Sequence, residues 1–132
     1  MKTLAQLSLL LFIFSCSSPA TQNDAVIRFN GQEYDFGTIP LKEEVRYDFE
    51  FSNPGKTPLV ISNVKTSCGC TIPEWPRKPV KPGTKGEIKV AYDVASPGVF
   101  HKTIIVYFNG KDSPVRLSIK GQVGFPEQKE NE

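Results

Sequence analysis

The sequence predicts an all-β fold, a single antiparallel β-sandwich of about seven strands, and three observations lead to it. Apolar and polar residues alternate with a period of two along most of the chain, as in strands with one buried face. Short groups of Pro, Gly and Asn separate the alternating runs, as turns do. No stretch of ten residues has a helical period, and 11 prolines interrupt the windows in which a helix would begin.

The alternating runs define strands with one face in the core. Residues 45–51, 88–94 and 115–119 each place apolar side chains at every second position, with charged or polar ones between them. Residues 100–108 are apolar on both faces, except for His101, Lys102 and Thr103 near the start, which predicts a strand in the middle of a sheet, covered from both sides. The predicted strands lie near residues 25–29, 36–39, 43–53, 58–66, 84–94, 99–109 and 113–123.

The turns between these strands have residues with a clear mechanism. Residues 53–58 and 81–84 offer Pro and Gly at central turn positions, and 96–98 and 109–112 close the later hairpins. Seven short alternating strands in about 100 residues are typical of an immunoglobulin-like sandwich. The Cys…Trp…Cys spacing of antibody domains is missing, so only the architecture is predicted.

Residues 1–15 predict a cleaved lipoprotein signal peptide. A positive start precedes an apolar run from Leu7 to Phe14, which is shorter than the roughly 20 residues that a membrane-spanning helix needs. Residues 13–16 resemble a bacterial lipobox, in which the cysteine, here Cys16, is acylated and becomes the new N-terminus. The alternative is an ordinary signal cut near Ala20, which would leave Cys16 in the discarded piece.

The remaining boundaries follow from composition. Residues 16–24 are small and polar and predict a lipid-anchored flexible tether, 25–123 the sandwich domain, and 124–132 a disordered tail. Acyl chains such as palmitate on Cys16 would hold the protein on a membrane of the cell envelope. Ser17 stands where an aspartate is linked to inner-membrane retention, which by analogy favours the outer membrane of a Gram-negative bacterium. A net charge of +2 and export both argue against nucleic acid as a partner.

The sequence resembles a known bacterial family over roughly residues 29 to 123. The family is catalogued as domain of unknown function 1573, and Ser67-Cys68-Gly69-Cys70-Thr71 is the most specific part of the match. The resemblance implies an immunoglobulin-like sandwich in exported proteins, often lipoproteins, and implies no activity. The other matching segments are residues 36–39, 49–53, 55, 58–61, 92, 98–104, 109 and 119–121.

With Cys16 assigned to the lipid, Cys68 and Cys70 are the remaining cysteines and the main candidates for a chemical role. They predict either a structural pair, reduced or bridged, or a redox-active pair whose thiolates would be favoured by nearby Lys65, Arg77, Lys78 and Lys81. A third interpretation is a soft-metal site, because two thiolates suit Cu(I). A closed zinc site needs four ligands, and two cysteines with a single histidine supply too few.

His101 allows a fourth interpretation, catalysis by a cysteine–histidine pair, although nothing in the sequence orients such a pair. A lone histidine on a strand more often packs or faces solvent than binds a metal. No pair of carboxylates stands out for acid–base chemistry.

Trp75, Arg77 and Lys78 lie on a proline-rich loop after the cysteines. Tryptophan and arginine dominate interface hot spots, so this loop is a candidate for binding a partner. The alternative is that Trp75 closes one end of the core while the basic residues are solvated.

The function predicted from the sequence is therefore a lipid-anchored binding or scaffolding module of the cell envelope, not an enzyme. Its expected partners are the membrane, through Cys16, and an envelope protein, through a sheet edge or a loop. No cofactor is expected. The alternative function is a thiol-redox or copper-handling protein that uses Cys68 and Cys70.

Overall fold

A computed structural model of the protein describes residues 25–124, which form eight β-strands and no helix. The predictions of a signal peptide, a tether and, apart from Gly124, a tail over residues 124–132 lie outside the described residues. The strands are β1 (Arg28–Phe29), β2 (Glu33–Ile39), β3 (Glu44–Ser52), β4 (Ile61–Thr66), β5 (Thr71–Glu74), β6 (Lys85–Asp93), β7 (Gly98–Phe108) and β8 (Val115–Val123).

The strands form two four-stranded sheets that pack face to face, which confirms the predicted all-β sandwich. The first sheet has the order β1-β3-β6-β5 and the second has the order β2-β8-β7-β4. All neighbouring strands are antiparallel except β2 and β8, which run parallel. β1 and β2 follow each other along the chain but belong to different sheets, so the first edge of the sandwich switches sheets at residues 30–32.

β5 is the strand that the sequence pattern did not predict. It has only four residues, and one of them is Pro73, which argues against a central strand. The structure resolves the conflict by placing β5 at the edge of the first sheet, where it pairs with β6 alone. The count is therefore eight strands in place of the predicted seven.

The core lies between the inward faces that the alternation predicts. Phe49 and Phe51 of β3 are each 1% exposed, and Ile88 of β6 is completely buried. They pack in one cluster with Ile104 of β7 and Leu117 of β8. Burial of each such side chain stabilises the fold by about 1.5–3 kcal/mol.

The prediction that β7 is covered on both faces is wrong. β7 does lie in the middle of its sheet, between β8 and β4. Phe100, Ile104 and Val106 are buried against the first sheet, but on the other face Val99 is 83% exposed and Ile105 is half-buried. No second layer of the described domain covers that face, so its apolar residues lie at the surface.

The connections fall into two groups at opposite ends of the sandwich. What we term the Ala25 end contains residues 53–60, 75–84 and 109–114. Ala25 lies there as well, because a Cβ atom on Gly110 would meet its carbonyl oxygen. What we term the Cys68 end contains residues 40–43, 67–70 and 94–97 together with Gly124, whose N–H donates to Ile39 at 2.9 Å.

Asn53 holds the connections of the Ala25 end together. It is 0% exposed, and its side-chain Nδ2 donates to the carbonyl oxygens of Thr57 at 2.8 Å and of Val80 at 3.0 Å. Its Oδ1 accepts the N–H of Gly55 at 3.0 Å. A buried amide with all these partners fixes residues 53–60 against residues 75–84.

Within residues 25–124, no helix has the length and hydropathy needed to cross a membrane.

Candidate functional site

The residues 67–70 connect the two sheets and contain a disulfide. Cys68 and Cys70 are bonded to each other, with their Cα atoms 5.4 Å apart, inside the usual range for disulfides. The chain passes here from β4 at the edge of the second sheet to β5 at the edge of the first. Both cysteines are half-buried and Gly69 is exposed at the tip. The bridge therefore lies at the surface of the Cys68 end.

Hydrogen bonds from both sheets hold this loop. The Ser67 N–H donates to the Thr103 carbonyl oxygen at 3.0 Å, and the Thr103 N–H donates back to Ser67 Oγ at 3.1 Å. The Cys70 carbonyl oxygen accepts the N–H of Asp93 at 2.9 Å. Thr66 Oγ1 donates to the Cys68 carbonyl oxygen at 2.9 Å. The loop is thus held by hydrogen bonds to both sheets as well as by the disulfide.

The basic residues considered as activators of the cysteines mostly lie elsewhere. Arg77, Lys78 and Lys81 belong to the connection 75–84 at the Ala25 end. Lys65 Nζ lies 5.5 Å from the centroid of the Tyr107 ring, on the outer face of the second sheet. Three of the four basic residues are therefore at the end of the sandwich opposite the disulfide.

His101 is exposed on the outer face of β7, directly opposite Lys120 of β8. A cysteine–histidine catalytic pair would need a free thiol, and Cys68 and Cys70 are bonded to each other. Among residues 25–124, no group of three or more His, Cys, Asp and Glu side chains is placed to hold a metal ion.

Trp75 and Arg77 form a stacked pair close to the end of β5. The Arg77 guanidinium lies 3.8 Å from the centroid of the Trp75 ring, and Trp75 is half-buried against the core. Its Nε1 is buried and has no hydrogen-bond partner among the described residues. Lys78 is exposed. Strand β5 separates this pair from Cys70, so the two candidate sites from the sequence do not form one site.

The outer edge of β4 is a candidate binding surface, and the sequence alone does not identify it. The Ser67 N–H donates to β7, and opposite residues of an antiparallel pair alternate between bonded and non-bonded. By this alternation Lys65 bonds to β7, and the N–H and C=O groups of Val64 and Thr66 point away from it. β7 is the only strand of the described domain that pairs with β4, so these backbone groups lie at an edge. The start of β5 lies beside the Thr66 end of this edge, where Thr66 Oγ1 donates to the Thr71 carbonyl oxygen at 3.2 Å.

The edge formed by β5 is closed to a further strand. The Asp93 N–H donates to the Cys70 carbonyl oxygen, so by the same alternation Thr71 and Pro73 face outwards. Pro73 has no N–H, and the Thr71 N–H already donates to the Cys68 carbonyl oxygen at 3.3 Å. This edge therefore lacks free backbone donors.

The two remaining edges are short or irregular. β1 has only two residues. β2 has a bulge between Asp35 and Thr38, where the Asp35 carboxylate accepts the N–H of Gly37 at 2.8 Å and Gly37 adopts a positive φ of 66°. Bulges and charged side chains are common means of blocking a sheet edge. β4 is consequently the edge of the described domain best suited to accept a partner strand.

An ion pair fixes the start of β2 on β8. Lys120 Nζ donates to Glu33 Oε1 at 2.6 Å. This hydrogen bond first, and the charge of Lys120 second, hold the pKa of the Glu33 carboxyl below its usual range.

On the first sheet, burial and then the charge of Asp93 raise the pKa of the Tyr92 hydroxyl, which lies opposite Thr71. Neither group has the arrangement of a catalytic acid or base.

Comparison with known families and proteins agrees with this architecture. The family model described as "Protein of unknown function (DUF1573)" matches residues 27–123. Among curated proteins, none matches the chain.

Solved structures share the fold at low sequence identity. A protein of unknown function from Porphyromonas gingivalis W83 has a TM-score of 0.68 at 20% identity, over 80% of this chain and 51% of that one. The ASH / PapD-like domain 7 of human CEP192 has a TM-score of 0.64 at 12% identity, over 93% and 100% of the chains. The VesB protease of Vibrio cholerae has a TM-score of 0.58 at 16% identity, over 78% and 32%.

The chain thus spans about half of the length of the P. gingivalis protein and about a third of VesB. Identities this low show a shared fold and transfer no activity.

Proposed function

The chain belongs to the family of proteins of unknown function DUF1573, and we propose that it is a lipid-anchored binding or scaffolding module of the cell envelope. Its binding element is the outer edge of β4, which accepts an extended segment of a partner protein as an added strand. The lipid is carried by Cys16, and the outer membrane is the favoured location. A sandwich domain of this kind needs no cofactor for such a role.

The observation that carries this proposal is the set of free backbone groups on Val64 and Thr66. In strand addition, main-chain hydrogen bonds provide affinity and the pockets for alternate side chains provide specificity. Lys65 and Asn63 are both exposed beside this edge and are available to read the partner. The neighbouring edge of β5 is closed, so a partner is directed to β4.

The domain has the features of a binding module in preference to those of an enzyme. The described residues show no nucleophile paired with a base, and the charged cluster of Glu44, Arg46, Asp48, Glu74 and Lys89 lines a cavity of about 310 Å³ that opens to solvent. The family has no assigned activity. A rigid sandwich with one open edge is instead suited to recognition.

The test has two steps. Crosslinking in an envelope extract first identifies proteins that contact the chain. Amide hydrogen exchange of the chain, followed by NMR or mass spectrometry, is then measured with and without those proteins. A photoreactive amino acid at Asn63 on β4 supplies the crosslink, and one at Asp35 on β2 is the matched control. Crosslinking from position 63 alone, with new protection of the Val64 and Thr66 amides, supports strand addition. Equal crosslinking from both positions, or protection confined to other strands, contradicts it.

The second candidate function is thiol-redox or copper handling by Cys68 and Cys70, and it is favoured by the surface position of the disulfide loop. Reduction of the bridge takes up two electrons and two protons and yields two thiols, which can then bind Cu(I) as thiolates. Thiol counting and metal analysis on protein purified anaerobically from the envelope separate the two functions. A bridge that opens with mild reductant, or stoichiometric copper, favours this alternative over the binding module.

A further inference from the structure

The charged side chains are distributed very unevenly between the two ends of the sandwich. The three connections of the Ala25 end contain five basic residues, Lys56, Arg77, Lys78, Lys81 and Lys111, and one acidic residue, Asp112. The three connections of the Cys68 end contain one of each, Lys42 and Glu43.

The strand ends extend this difference. At the Ala25 end, Ser52 is flanked by its register partners Arg28 and Lys85. At the Cys68 end, the corresponding pair of β3 and β6 residues is Glu44 and Asp93. The nearest carboxylates on β5 and β6 lie on the outer sheet face, where Glu87 pairs with Lys89 at 3.1 Å.

The basic residues are exposed on connections that the core holds in place. Asn53 ties residues 53–60 to residues 75–84. Asn109 ties them to the third connection, because its Oδ1 accepts the N–H of Val60 at 2.8 Å and its Nδ2 donates to Pro58 at 3.0 Å. The positive charge is therefore presented on one fixed surface of the domain.

We infer that this surface, the Ala25 end, docks on the anionic phospholipid headgroups of the membrane that carries the protein. Ala25 is the residue at which the segment from Cys16 joins the domain, so a lipid on Cys16 brings this end to the bilayer. Lysine and arginine near an anionic bilayer are each attracted to it, and a lipid chain combined with a basic surface gives firmer attachment than either alone. The Cys68 end, with the disulfide, then faces away from the membrane. The direction of docking rests on the lipid anchoring in the proposed function, whereas the affinity for anionic lipid does not.

Trp75, the single tryptophan of the chain, reports this orientation. The mature lipid-carrying chain, purified from the envelope, is reconstituted with vesicles of neutral or of anionic phospholipid that contain a dansyl-labelled lipid headgroup, and energy transfer from Trp75 is measured. Docking predicts higher transfer on anionic vesicles than on neutral ones. Transfer should fall to the neutral value near 1 M salt, since the screening length is then about 3 Å.

Two variants of equal net charge separate docking from general attraction. The triple change Lys78→Gln, Lys81→Gln, Lys111→Gln removes three charges from the Ala25 end. The triple change Lys42→Gln, Lys102→Gln, Lys120→Gln removes three from the opposite half. The first should weaken partitioning on anionic vesicles by about tenfold or more and abolish the extra transfer, and the second should leave the transfer unchanged.

Flotation of the same samples distinguishes a failure of docking from a failure of anchoring. If the protein floats with anionic vesicles alone and shows the higher energy transfer from Trp75, the result supports docking by the basic surface and contradicts the lipid anchor. Flotation with both kinds of vesicle and equal transfer from Trp75 contradicts docking and keeps the anchor. Equal effects of the two triple variants, or no flotation at all, also overturn the inference.

Discussion

The side-chain amide of Asn53 donates to the carbonyl oxygen of Val80 at 3.0 Å, although the two residues are 27 positions apart in the chain. This bond joins the connection after β3 to the connection before β6, which carry most of the basic residues of the Ala25 end. In the sequence Asn53 is one of several turn residues. In the structure it is a completely buried polar residue on which two loops depend.

Asn53→Ala should lower the free energy of unfolding by about 3 kcal/mol, because it removes the three hydrogen bonds that this buried side chain makes. Chemical denaturation followed by circular dichroism measures the change. Asn63→Ala, at an exposed position, is the matched control and should change stability by about 0.5 kcal/mol or less. Similar losses in the two variants would contradict the role assigned to Asn53.

Phe49→Asp should prevent folding, because it places a carboxylate at a position that is 1% exposed in the core. Glu50→Lys, on the neighbouring outward position, should be tolerated, since Glu50 is exposed and lies opposite Glu87. Thermal unfolding of both variants makes the comparison. Equal stability of the two would be incompatible with the alternation of β3.

The amides of Val64 and Thr66 should exchange with solvent much faster than the amide of Lys65 in the free domain. Their N–H groups point away from β7, whereas Lys65 is bonded to it. Residue-resolved hydrogen exchange by NMR measures the three rates in one sample. Strong protection of all three amides without a partner would mean that the edge of β4 is not open.

Lys120→Gln should raise the pKa of Glu33 towards its usual value, because the hydrogen bond and the charge of Lys120 are the two largest causes that lower it. NMR titration of the Glu33 carboxyl measures this, with Lys102→Gln as the control that leaves it unchanged. A carboxyl with a lowered pKa in the folded state stabilises the fold above its unfolded pKa. That contribution is lost as the pH falls through the folded value, and it is small here because both groups are exposed.

Replacement of both Cys68 and Cys70 by Ser should lower the free energy of unfolding by only about 1.5 kcal/mol, since the bridge closes a loop of three residues. The hydrogen bonds of Ser67 and Thr66 hold the loop in the variant as well. Denaturation measures the change, and binding of the crosslinked partner is assayed in parallel. A stable variant that has lost its cellular function would favour the redox or copper alternative.

The strands that the sequence predicted well are those with four apolar residues at alternate positions, as in β3 and β6. Local pattern did not predict β5, because its strand character comes from pairing with β6 and not from its own four residues. The parallel pairing of β2 with β8 likewise depends on contacts some 85 residues apart in sequence. Pattern also cannot show which end of the sandwich a loop occupies.

The candidate site likewise depends on contacts between residues that are distant in sequence. The cysteine pair is evident from the sequence itself. The position of Arg77 and Lys78 at the Ala25 end, opposite the disulfide, depends on the direction of β5. Asn53 was read as a turn former, since its bond to Val80 exists only once two distant loops meet. The open edge of β4 follows from strand order, which the period of two does not determine.

The positions of Ala25 and Gly124 at opposite ends have a mechanical consequence. β2 and β8 lie side by side and run parallel, so tension applied between the two ends of the domain pulls β2 one way and β8 the other. The hydrogen bonds between them are then loaded together in shear and do not open one at a time. A domain tethered at Ala25 and held at Gly124 should therefore resist stretching first through the two-residue pairing of β1 with β3, which lies between Ala25 and β2, and then through this pair of strands.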